Sequence, residues 1–348
     1  MPASTAKRSL SSTRADPKPT VVRLLDHYDR HRRALPWRAA PGETADPYRV
    51  WLSEVMLQQT TVATVIPRFA RFLDRWQTIE ALAAAPADEV LGEWAGLGYY
   101  ARARNLIACA REVARRGAFP TTEAALRTLP GLGAYTAAAI AAIAFGEAAT
   151  VVDTNIERVV ARLNAIDRPI AEARAEIRAF AAALTPADRP GDFAQAMMDL
   201  GATICRPKKP ACLACPLADD CRAFASGDPE QFPAPKARPV RPHRHGVAWW
   251  ITEGRALWLV RRPAQGLLGG MAALPGPEWG DAPPAEPALV TVAHGFTHFT
   301  LDLHLVARAS PPPGEGWWQP FDALAAAGLP TLYRRAAEAA LARENDPD

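Results

Sequence analysis

The sequence lacks several features, and each absence narrows the class of protein. It contains no run of eighteen apolar residues, which excludes a membrane-spanning helix. It shows no secretory signal, so we expect its five cysteines to be reduced rather than joined in disulfides. It has little excess charge, because 40 Lys and Arg balance 37 Asp and Glu to leave +3. Any surface for a polyanion must therefore come from local clustering of cations.

The amino-acid pattern changes along the 348 residues of the chain, and this length is typical of two domains. Residues 1–18 are polar and basic and predict a disordered tail. Residues 19–228 show Ala-rich amphipathic patterns that predict helices. Residues 229–245 are rich in Pro and basic residues and predict a semi-rigid linker. Within residues 246–345, segments such as FTLDLHLVA alternate apolar and polar side chains as strands do, and TLYRRAAEAALARE predicts a closing helix. We therefore predict an all-α domain followed by a smaller α+β domain.

Four cysteines follow one another at the spacing C-x6-C-x2-C-x5-C, namely Cys205, Cys212, Cys215 and Cys221. Four thiolates so close in sequence can hold an iron–sulfur cluster or zinc. Structural zinc sites usually show two short pairs, whereas one C-x2-C is flanked here by two single cysteines. The spacing favours a [4Fe–4S] cluster, with a zinc site and disulfides as the alternatives. The loop after the first ligand carries Arg206, Lys208 and Lys209 without an acid, which predicts a surface for a polyanion.

Two further motifs indicate an enzyme that acts on DNA. The stretch LPGLGAYT at 129–136 is a glycine turn before a helical run, and such a turn directs backbone N–H groups towards a phosphate. An ordinary helix–turn–helix corner has the same pattern. Glu54 is the lone acid of the apolar stretch 50–61, and burial would raise its pKa as a general acid requires. The alternative is an exposed helical residue. A second acid, Asp153, follows Tyr135 after 18 residues.

Together these stretches resemble the MutY-type adenine DNA glycosylases of the helix–hairpin–helix superfamily. The resemblance covers about residues 20–225 and rests on LPWR (35–38), WLSEVMLQQTTVATVIPRF (51–69), GLGYYARARNL (96–106), LPGLGAYTA (129–137), VVDTNIERV (151–159), FAQAMMDLGATIC (193–205) and the cysteine motif. It implies a helical glycosylase domain with a [4Fe–4S] cluster, followed by a Nudix-like domain. The implied reaction is base excision repair, in which adenine mispaired with 8-oxoguanine or guanine is flipped out and removed by hydrolysis.

The resemblance also implies a role for individual residues. Glu54 would protonate N7 of adenine, and Asp153 would stabilise the oxocarbenium-like sugar. Tyr135 would lie near the scissile sugar, and Asn155 would help to position water. The residues implied to contact the flipped base or the duplex are Arg38, Gln59, Thr60, Leu97, Tyr99, Gly131, Gly133, Lys208 and Lys209.

The C-terminal domain lacks the acidic helix with which Nudix hydrolases hold magnesium. We therefore expect a recognition module rather than a pyrophosphatase. The family reads oxidised guanine with a Phe-Ser-His turn, and Phe296, Thr297 and His298 stand at that place, with threonine for serine. The alternative is a plain strand start, in which Phe299, Leu301, Leu303 and Leu305 face the core and His298, Thr300, Asp302 and His304 form a solvated face.

Two other functions compete with the leading one. An endonuclease III-like glycosylase/lyase would need a lysine nucleophile in the hairpin, where Tyr135 stands. A non-catalytic DNA-binding scaffold would not need both Glu54 and Asp153. The resemblance implies double-stranded DNA with A:8-oxoG or A:G mispairs as the partner and a monomer that does not bind membranes. It also implies a cytoplasmic, nucleoid-associated location in a bacterium.

Overall fold

The structure, a computed structural model, describes residues 18–235, 241–263, 265–296 and 298–345. The chain divides into two compact units, 1–237 and 238–348. The first unit is helical and the second contains the sheets, which confirms the predicted fold class. Most of the predicted tail, part of the linker and Thr297 lie outside the described residues. No helix among the described residues is both long and apolar enough to cross a membrane.

The first unit is a helical bundle. Its helices are α1 (Pro19–His31), α2 (Pro47–Met56), α3 (Val62–Arg75), α4 (Ile79–Ala84), α5 (Ala87–Glu93), α6 (Tyr100–Arg116), α7 (Glu123–Leu126), α8 (Ala134–Phe145), α9 (Thr154–Asn164), α10 (Ile170–Leu184), α11 (Pro190–Thr203) and α12 (Arg222–Ala225). Short 3₁₀ turns at Cys212–Ala214, Ala218–Asp220 and Pro229–Gln231 form the cysteine segment and the residues after it.

Helix α8 lies at the centre of this bundle, in contact with α2, α7 and α11. Seven of its 12 residues are alanine and eight of the 12 are buried, so neighbouring helices approach its backbone closely. A Cβ at Gly191 of α11 would lie 2.6 Å from the carbonyl oxygen of Ala142, so only glycine fits there without movement of the backbone. The close packing brings Tyr135 of α8 towards α2 and α11.

The second unit consists of two sheets and a closing helix. Its elements are β1 (His243–Trp250), β2 (Thr252–Glu253), β3 (Ala256–Arg261), β4 (Ala272–Ala273), β5 (Val290–Gly295), β6 (Thr300–Ala307), β7 (Trp317–Pro320) and α13 (Thr331–Asn345), with a 3₁₀ turn at Phe321–Ala327. One sheet has the order β1-β6-β5, with β1 and β6 parallel and β5 antiparallel to β6. The other has the order β2-β3-β4, and β7 also pairs with β3.

The burial of β6 alternates as the sequence predicts. Leu301, Leu303 and Leu305 are buried in the core of the second unit, whereas Thr300, Asp302 and His304 are partly exposed. The preceding residues form a turn rather than an extension of the strand, because the Phe296 N–H donates to the carbonyl of Phe299 at 2.9 Å. The solvated face was therefore predicted correctly from Thr300 onwards.

Candidate active site

A cavity of about 890 Å³ opens between α2 and the N-terminal ends of α8 and α9. Its size lies within the range of ligand pockets and suits a nucleotide-sized group. Residues from α10 and α11 complete the wall. The cavity brings together six of the predicted site residues, Glu54, Gln59, Thr60, Tyr135, Asp153 and Asn155. Sequence positions almost a hundred residues apart therefore meet on one surface.

Glu54 lies in a helix that is buried on nearly every side. Helix α2 begins with Pro47 and is capped by Asp46, whose carboxylate accepts the Tyr48 N–H at 2.9 Å. Glu54 itself is only 6% exposed, so the alternative of an exposed helical residue is wrong. Burial raises the pKa of its carboxyl group to about 7. A proton is therefore available at this carboxyl group near neutral pH.

Three neighbours adjust the pKa of Glu54. A hydrogen bond from the Tyr135 hydroxyl lowers it, the charge of Asp153 raises it, and the charge of Arg38 lowers it. Each of these three effects on the pKa is smaller than the effect of burial, and the effect of Asp153 opposes those of Tyr135 and Arg38. Loss of solvent is consequently the main reason why this carboxyl group differs from an ordinary glutamate.

Asp153 occupies the opposite kind of environment, at the N-cap of α9. One carboxylate oxygen accepts the Ile156 N–H at 2.7 Å, and the other accepts the Asn155 amide at 2.9 Å. The amide oxygen of Asn155 in turn accepts a hydrogen bond from Arg158 at 3.0 Å. Both oxygens of Asp153 act as acceptors at a helix N-terminus, where a negative charge is stabilised. The cavity thus presents two carboxyl groups in different environments, one buried and one hydrogen-bonded at a helix N-terminus.

Tyr135 links the two carboxyl groups at the start of α8. Burial and the nearby charges of Glu54 and Asp153 raise the pKa of its hydroxyl well above its usual value. The hydroxyl therefore stays protonated, and it also lies 3.5 Å from the sulfur of Met198.

Arg38 and Asp199 form a buried ion pair beside Glu54. Two nitrogens of the Arg38 guanidinium lie 2.7 and 2.8 Å from the two oxygens of Asp199. Arg33 adds a side-chain hydrogen bond at 2.5 Å and a backbone one at 3.2 Å. These cations hold the pKa of Asp199 below its usual value against the effect of burial.

The ion pair changes what Arg38 can do. Its guanidinium was expected to meet the flipped base, but it is committed to Asp199 and lines a smaller cavity that it shares with Glu54. Asp199 was missed, although a signal existed. It is the lone acid in the apolar stretch FAQAMMDLGA, as Glu54 is in its own stretch.

The residues expected at the duplex fall into two groups. Gln59 and Tyr99 are exposed, Tyr99 by 54%, and both have positive φ, 57° and 50°. Such a backbone is costly for residues other than glycine and is often found at functional sites. Leu97 is only 4% exposed, so its side chain packs in the core, and the expected duplex contact of this residue stays a prediction. The turn before α6 directs this side chain into the core.

Arg102, which the sequence did not single out, orders this region. Its guanidinium donates to the backbone carbonyls of Val55, Met56 and Leu97 at 3.1, 3.1 and 2.8 Å. It also donates to the hydroxyl of Thr60 at 3.2 Å, and it lies 5.7 Å from the Tyr99 ring. One half-buried cation thus connects the segment after α2 with the turn before α6.

The glycine hairpin joins α7 to α8. Gly131 has φ +76°, and a Cβ there would lie 2.6 Å from the Cβ of Asn105. Gly133 is the N-cap of α8 and provides no side-chain cap for its first turn. Both glycines are exposed. The hairpin therefore presents backbone N–H groups outward, which is the arrangement that binds a phosphate.

The four motif cysteines surround a small cavity together with Arg162, Ile204 and Phe224. All of them are free thiols, so the disulfide alternative is wrong. Four free thiols around one small cavity are the arrangement expected of a soft metal centre, either an iron–sulfur cluster or zinc.

A buried cation lies beside the first of the four cysteines, where it can balance the negative charge of thiolates that hold a metal centre. Burial, followed by the charges of neighbouring thiols, raises the pKa of Cys212, and the pKa of Cys215 is raised to about 11. The buried Arg162 guanidinium lies 3.4 Å from the sulfur of Cys205 and donates to the Arg206 carbonyl at 2.7 Å. It therefore holds the first ligand and the loop that follows it.

The basic loop after Cys205 is exposed at Lys208 and Lys209. Lys209 has φ +49°, and its backbone N–H donates to the Glu230 carboxylate at 2.9 Å. Both ammonium groups are left on the surface beside the cysteine site.

In the second unit, Phe296 anchors a turn and His298 is exposed within it. The Phe296 ring lies 4.7 Å from His294, 4.7 Å from Phe299 and 5.8 Å from Trp279. Thr297, the residue between Phe296 and His298, lies outside the described part of the chain.

Comparisons with known proteins agree with this architecture. Residues 52–183 match the model of the HhH-GPD superfamily of base excision DNA repair proteins, and residues 246–339 match a NUDIX domain model. The chain is 35% identical to human adenine DNA glycosylase, with 84% of this chain and 69% of the human protein covered. It is 44% identical to adenine DNA glycosylase of Mycolicibacterium smegmatis, with 60% of this chain and 70% of that protein covered. It spans only 46% of the Arabidopsis thaliana relative, to which it is 39% identical over 72% of its own length.

A solved structure of a thermostable thymine-DNA glycosylase is also similar, with a TM-score of 0.53 and 30% identity. The similarity covers 59% of this chain and 95% of that one. Hairpin, paired carboxyl groups and helical fold define a DNA glycosylase of base excision repair. Within that class, the chain belongs to the adenine DNA glycosylase family of the MutY type.

Proposed function

We propose that the chain removes adenine mispaired with 8-oxoguanine or guanine by hydrolysis of the N-glycosidic bond. The observation that carries the proposal is the pair of carboxyl groups on one cavity in opposite environments. Glu54 is buried and has a pKa of about 7, whereas Asp153 accepts hydrogen bonds at a helix N-terminus. Carboxyl groups separated in this way divide acid and electrostatic roles between them.

The reaction requires a proton and a counter-charge. Adenine leaves poorly as an anion, so the protonated Glu54 donates a proton to N7 as the glycosidic bond lengthens. The sugar then carries positive charge, which the carboxylate of Asp153 stabilises. Water adds to the sugar, and Glu54, now ionised, accepts its proton. The base must leave the stack before these steps, and the volume of the cavity suits a flipped nucleotide.

Other residues hold the reacting groups in place. The Tyr135 hydroxyl lies against Glu54, and Asn155 holds one oxygen of Asp153 at 2.9 Å. A Cβ at Gly201 would lie 2.6 Å from the Cβ of Asn155, so glycine there allows α11 to support this amide. We assign Tyr135 and Asn155 to positioning of the acid, the carboxylate and the water between them.

The proposed duplex contacts involve residues that line the cavity, Gln59 and Thr60, and exposed residues elsewhere on the helical unit. We propose that Gln59, Thr60 and Tyr99 probe the duplex beside the extruded base, and that Gly131 and Gly133 bind a backbone phosphate through their hairpin. The exposed lysines Lys208 and Lys209 would add sequence-independent attraction to phosphates.

Cys205, Cys212, Cys215 and Cys221 would hold a [4Fe–4S] cluster. The cluster would supply a rigid anchor for the loop that carries the two lysines. Arg162 contributes from the protein side, because it binds the carbonyls of Arg206 and Pro207 at 2.7 and 3.0 Å.

Recognition of the oxidised guanine is assigned to the second unit. We propose that Phe296, Thr297 and His298 read its O8 and N7 edge. The proposal is supported by the rigid aromatic packing of Phe296 and the exposure of His298. We also propose a catalytic domain at 19–228 and a recognition domain that extends to 345; the linker predicted at 229–245 overlaps the start of β1, which begins at His243.

A strand-cleavage assay separates this function from its alternatives. Duplexes would carry adenine opposite 8-oxoguanine, adenine opposite guanine, thymine glycol, or no damage. We expect strand breaks at adenine only after alkali, because hydrolysis leaves an abasic site intact. Breaks at thymine glycol without alkali, with borohydride trapping of the protein on DNA, would indicate a glycosylase/lyase. Binding to the mispairs without any alkali-labile product would indicate a scaffold.

A further inference from the structure

A cluster of histidines in the second unit has no role in the proposed chemistry. We propose that His243, His245 and Asp302 form a binding site for a divalent transition-metal ion of the zinc class. One potential ligand atom from each residue lies within 4.8 Å of the other two. Among the described residues, no other group of three such side chains comes so close. The binding claim does not depend on the proposed function.

The pairing of β1 with β6 brings His243, His245 and Asp302 together, and these three side chains are called the triangle below. His243 and His245 are two positions apart on β1, so their side chains project from the same face. Strand β6 runs parallel beside β1, with Asp302 paired with His245 and Thr300 paired with His243. Neighbouring strands lie about 4.8 Å apart, which places the carboxylate beside both imidazoles. The Nε2 atom of His243 is 3.2 Å from an oxygen of Asp302.

Each histidine of the triangle has a partner for its other ring nitrogen. Nδ1 of His243 shares a hydrogen bond with the Thr300 hydroxyl at 2.9 Å. Nδ1 of His245 shares one with Nε2 of His304 at 3.1 Å, and His304 in turn contacts the Thr291 hydroxyl at 3.1 Å. Metal-binding histidines almost always have such a partner, which fixes the ring and its tautomer. With Nδ1 occupied in both rings, Nε2 is the nitrogen that remains for an ion.

The donor set selects the class of ion. Two imidazoles and one carboxylate suit Zn²⁺ and its first-row neighbours, whereas Mg²⁺ and Ca²⁺ prefer oxygen ligands throughout. The side chains of His243 and Asp302 are 46% and 33% exposed, so an ion reaches them from solvent and a water can complete the coordination. A surface hydrogen-bond network between a histidine and an aspartate is the competing interpretation.

The position of the triangle gives the ion a structural consequence. The backbone N–H of Thr300 donates to the carbonyl of Pro242 at 3.0 Å, directly beside His243. Thr300 follows the turn that Phe296 and Phe299 close. An ion on the triangle would therefore tie the start of β1 to the start of β6 and hold the base of that turn.

The test uses the full-length protein with its cysteine site filled with iron, so that the thiols do not bind the added metal. Titration with Zn²⁺ alone, followed by calorimetry, should show one equivalent bound. Asp302→Asn and His245→Asn should each weaken binding by about 10-fold or more, since loss of a ligand costs at least as much as loss of its supporting partner. Co²⁺ bound to the parent should give the visible absorption of a site with nitrogen and oxygen ligands and no sulfur charge transfer.

His31→Asn is the matched control, because His27 and His31 form another close pair of imidazoles, with ring centroids 4.5 Å apart on α1. This variant should bind Zn²⁺ as the parent does. Circular dichroism in the absence of metal shows whether the sheet is intact in each variant, and His243→Gln provides a third ligand change if one variant unfolds. Parent-like binding in the folded ligand variants, or loss of binding in His31→Asn, would overturn the proposal. No saturable Zn²⁺ binding by the parent would establish the hydrogen-bond network instead.

Discussion

The two units differ in whether their polar and charged side chains are buried or exposed. In the described chain, the buried polar and charged residues all belong to the helical unit, namely Ser53, Glu54, Thr136, Arg162 and Asp199. The core of the sheet unit is apolar, and its histidines and Asp302 lie on an exposed face. Burial changes the chemistry of a carboxyl group, whereas an exposed face only gathers groups that solvent already reaches. This difference supports the proposal that the covalent chemistry takes place in the first unit and that the second unit recognises the oxidised base.

The largest expected effect is at the buried carboxyl group. Glu54→Gln should lower the single-turnover rate of adenine excision by ~10²–10⁴-fold, because the amide keeps the shape but donates no proton as an acid. Binding to the mispaired duplex should persist. Glu157→Gln is the control, since Glu157 lines the same cavity but pairs with Arg174 at 3.3 Å. A Glu54→Gln rate near that of the parent would remove this residue from the acid role.

The second effect concerns stability and sharpens the contrast between buried and exposed charges. Asp199→Asn should reduce the free energy of unfolding by about 3–5 kcal/mol, because the buried Arg38 guanidinium loses its counter-charge. Asp220→Asn, which removes the exposed partner of Arg23, should cost only about 0–1 kcal/mol. Urea unfolding followed by circular dichroism measures both. Equal losses in the two variants would show that the Asp199 pair contributes no more than a surface pair.

The same carboxylate makes stability depend on pH in a defined direction. The folded pKa of Asp199 is lowered, so its contribution is present at neutral pH and is lost as the pH falls through that lowered value. Parent and Asp199→Asn should therefore converge in stability in acid. Curves that stay parallel down to the lowest pH at which the parent folds would contradict this linkage.

The smallest effect is expected in the sheet unit. His298→Ala should lower the preference for A:8-oxoG over A:G duplexes by about 10-fold, which corresponds to one base-edge hydrogen bond of ~1–3 kcal/mol. Excision from A:G should change little, because the carboxyl groups remain. Glu253→Ala, an exposed change on β2, is the control. If His298→Ala discriminates like Glu253→Ala, this histidine belongs to a solvated face only.

Sequence patterns predicted the features that depend on neighbouring residues in the chain and missed the contacts between distant segments. A lone acid in an apolar stretch correctly indicated that Glu54 is buried, and the alternation of β6 indicated its two faces. The partner of Asp199 could not be predicted, because Arg38 is 161 positions away and only packing of the helices joins them. The group of His243, His245 and Asp302 was missed for the same reason, since the sequence of neither strand shows that β1 and β6 pair in parallel.

The central claim is that a buried Glu54 supplies the proton, and the pH dependence of single-turnover excision tests it most directly. Because burial raises the pKa to about 7, the rate in the parent should fall as pH rises through about 7, when the acid ionises. The raised pKa also affects stability. As pH rises from 4.5, the usual glutamate value, towards 7, Glu54 ionises in the unfolded chain but stays protonated in the folded one, so the free energy of unfolding falls. In Glu54→Gln the small residual rate should show no such inflection. A parent rate that is flat across neutral pH, or an inflection that survives in Glu54→Gln, would contradict the account.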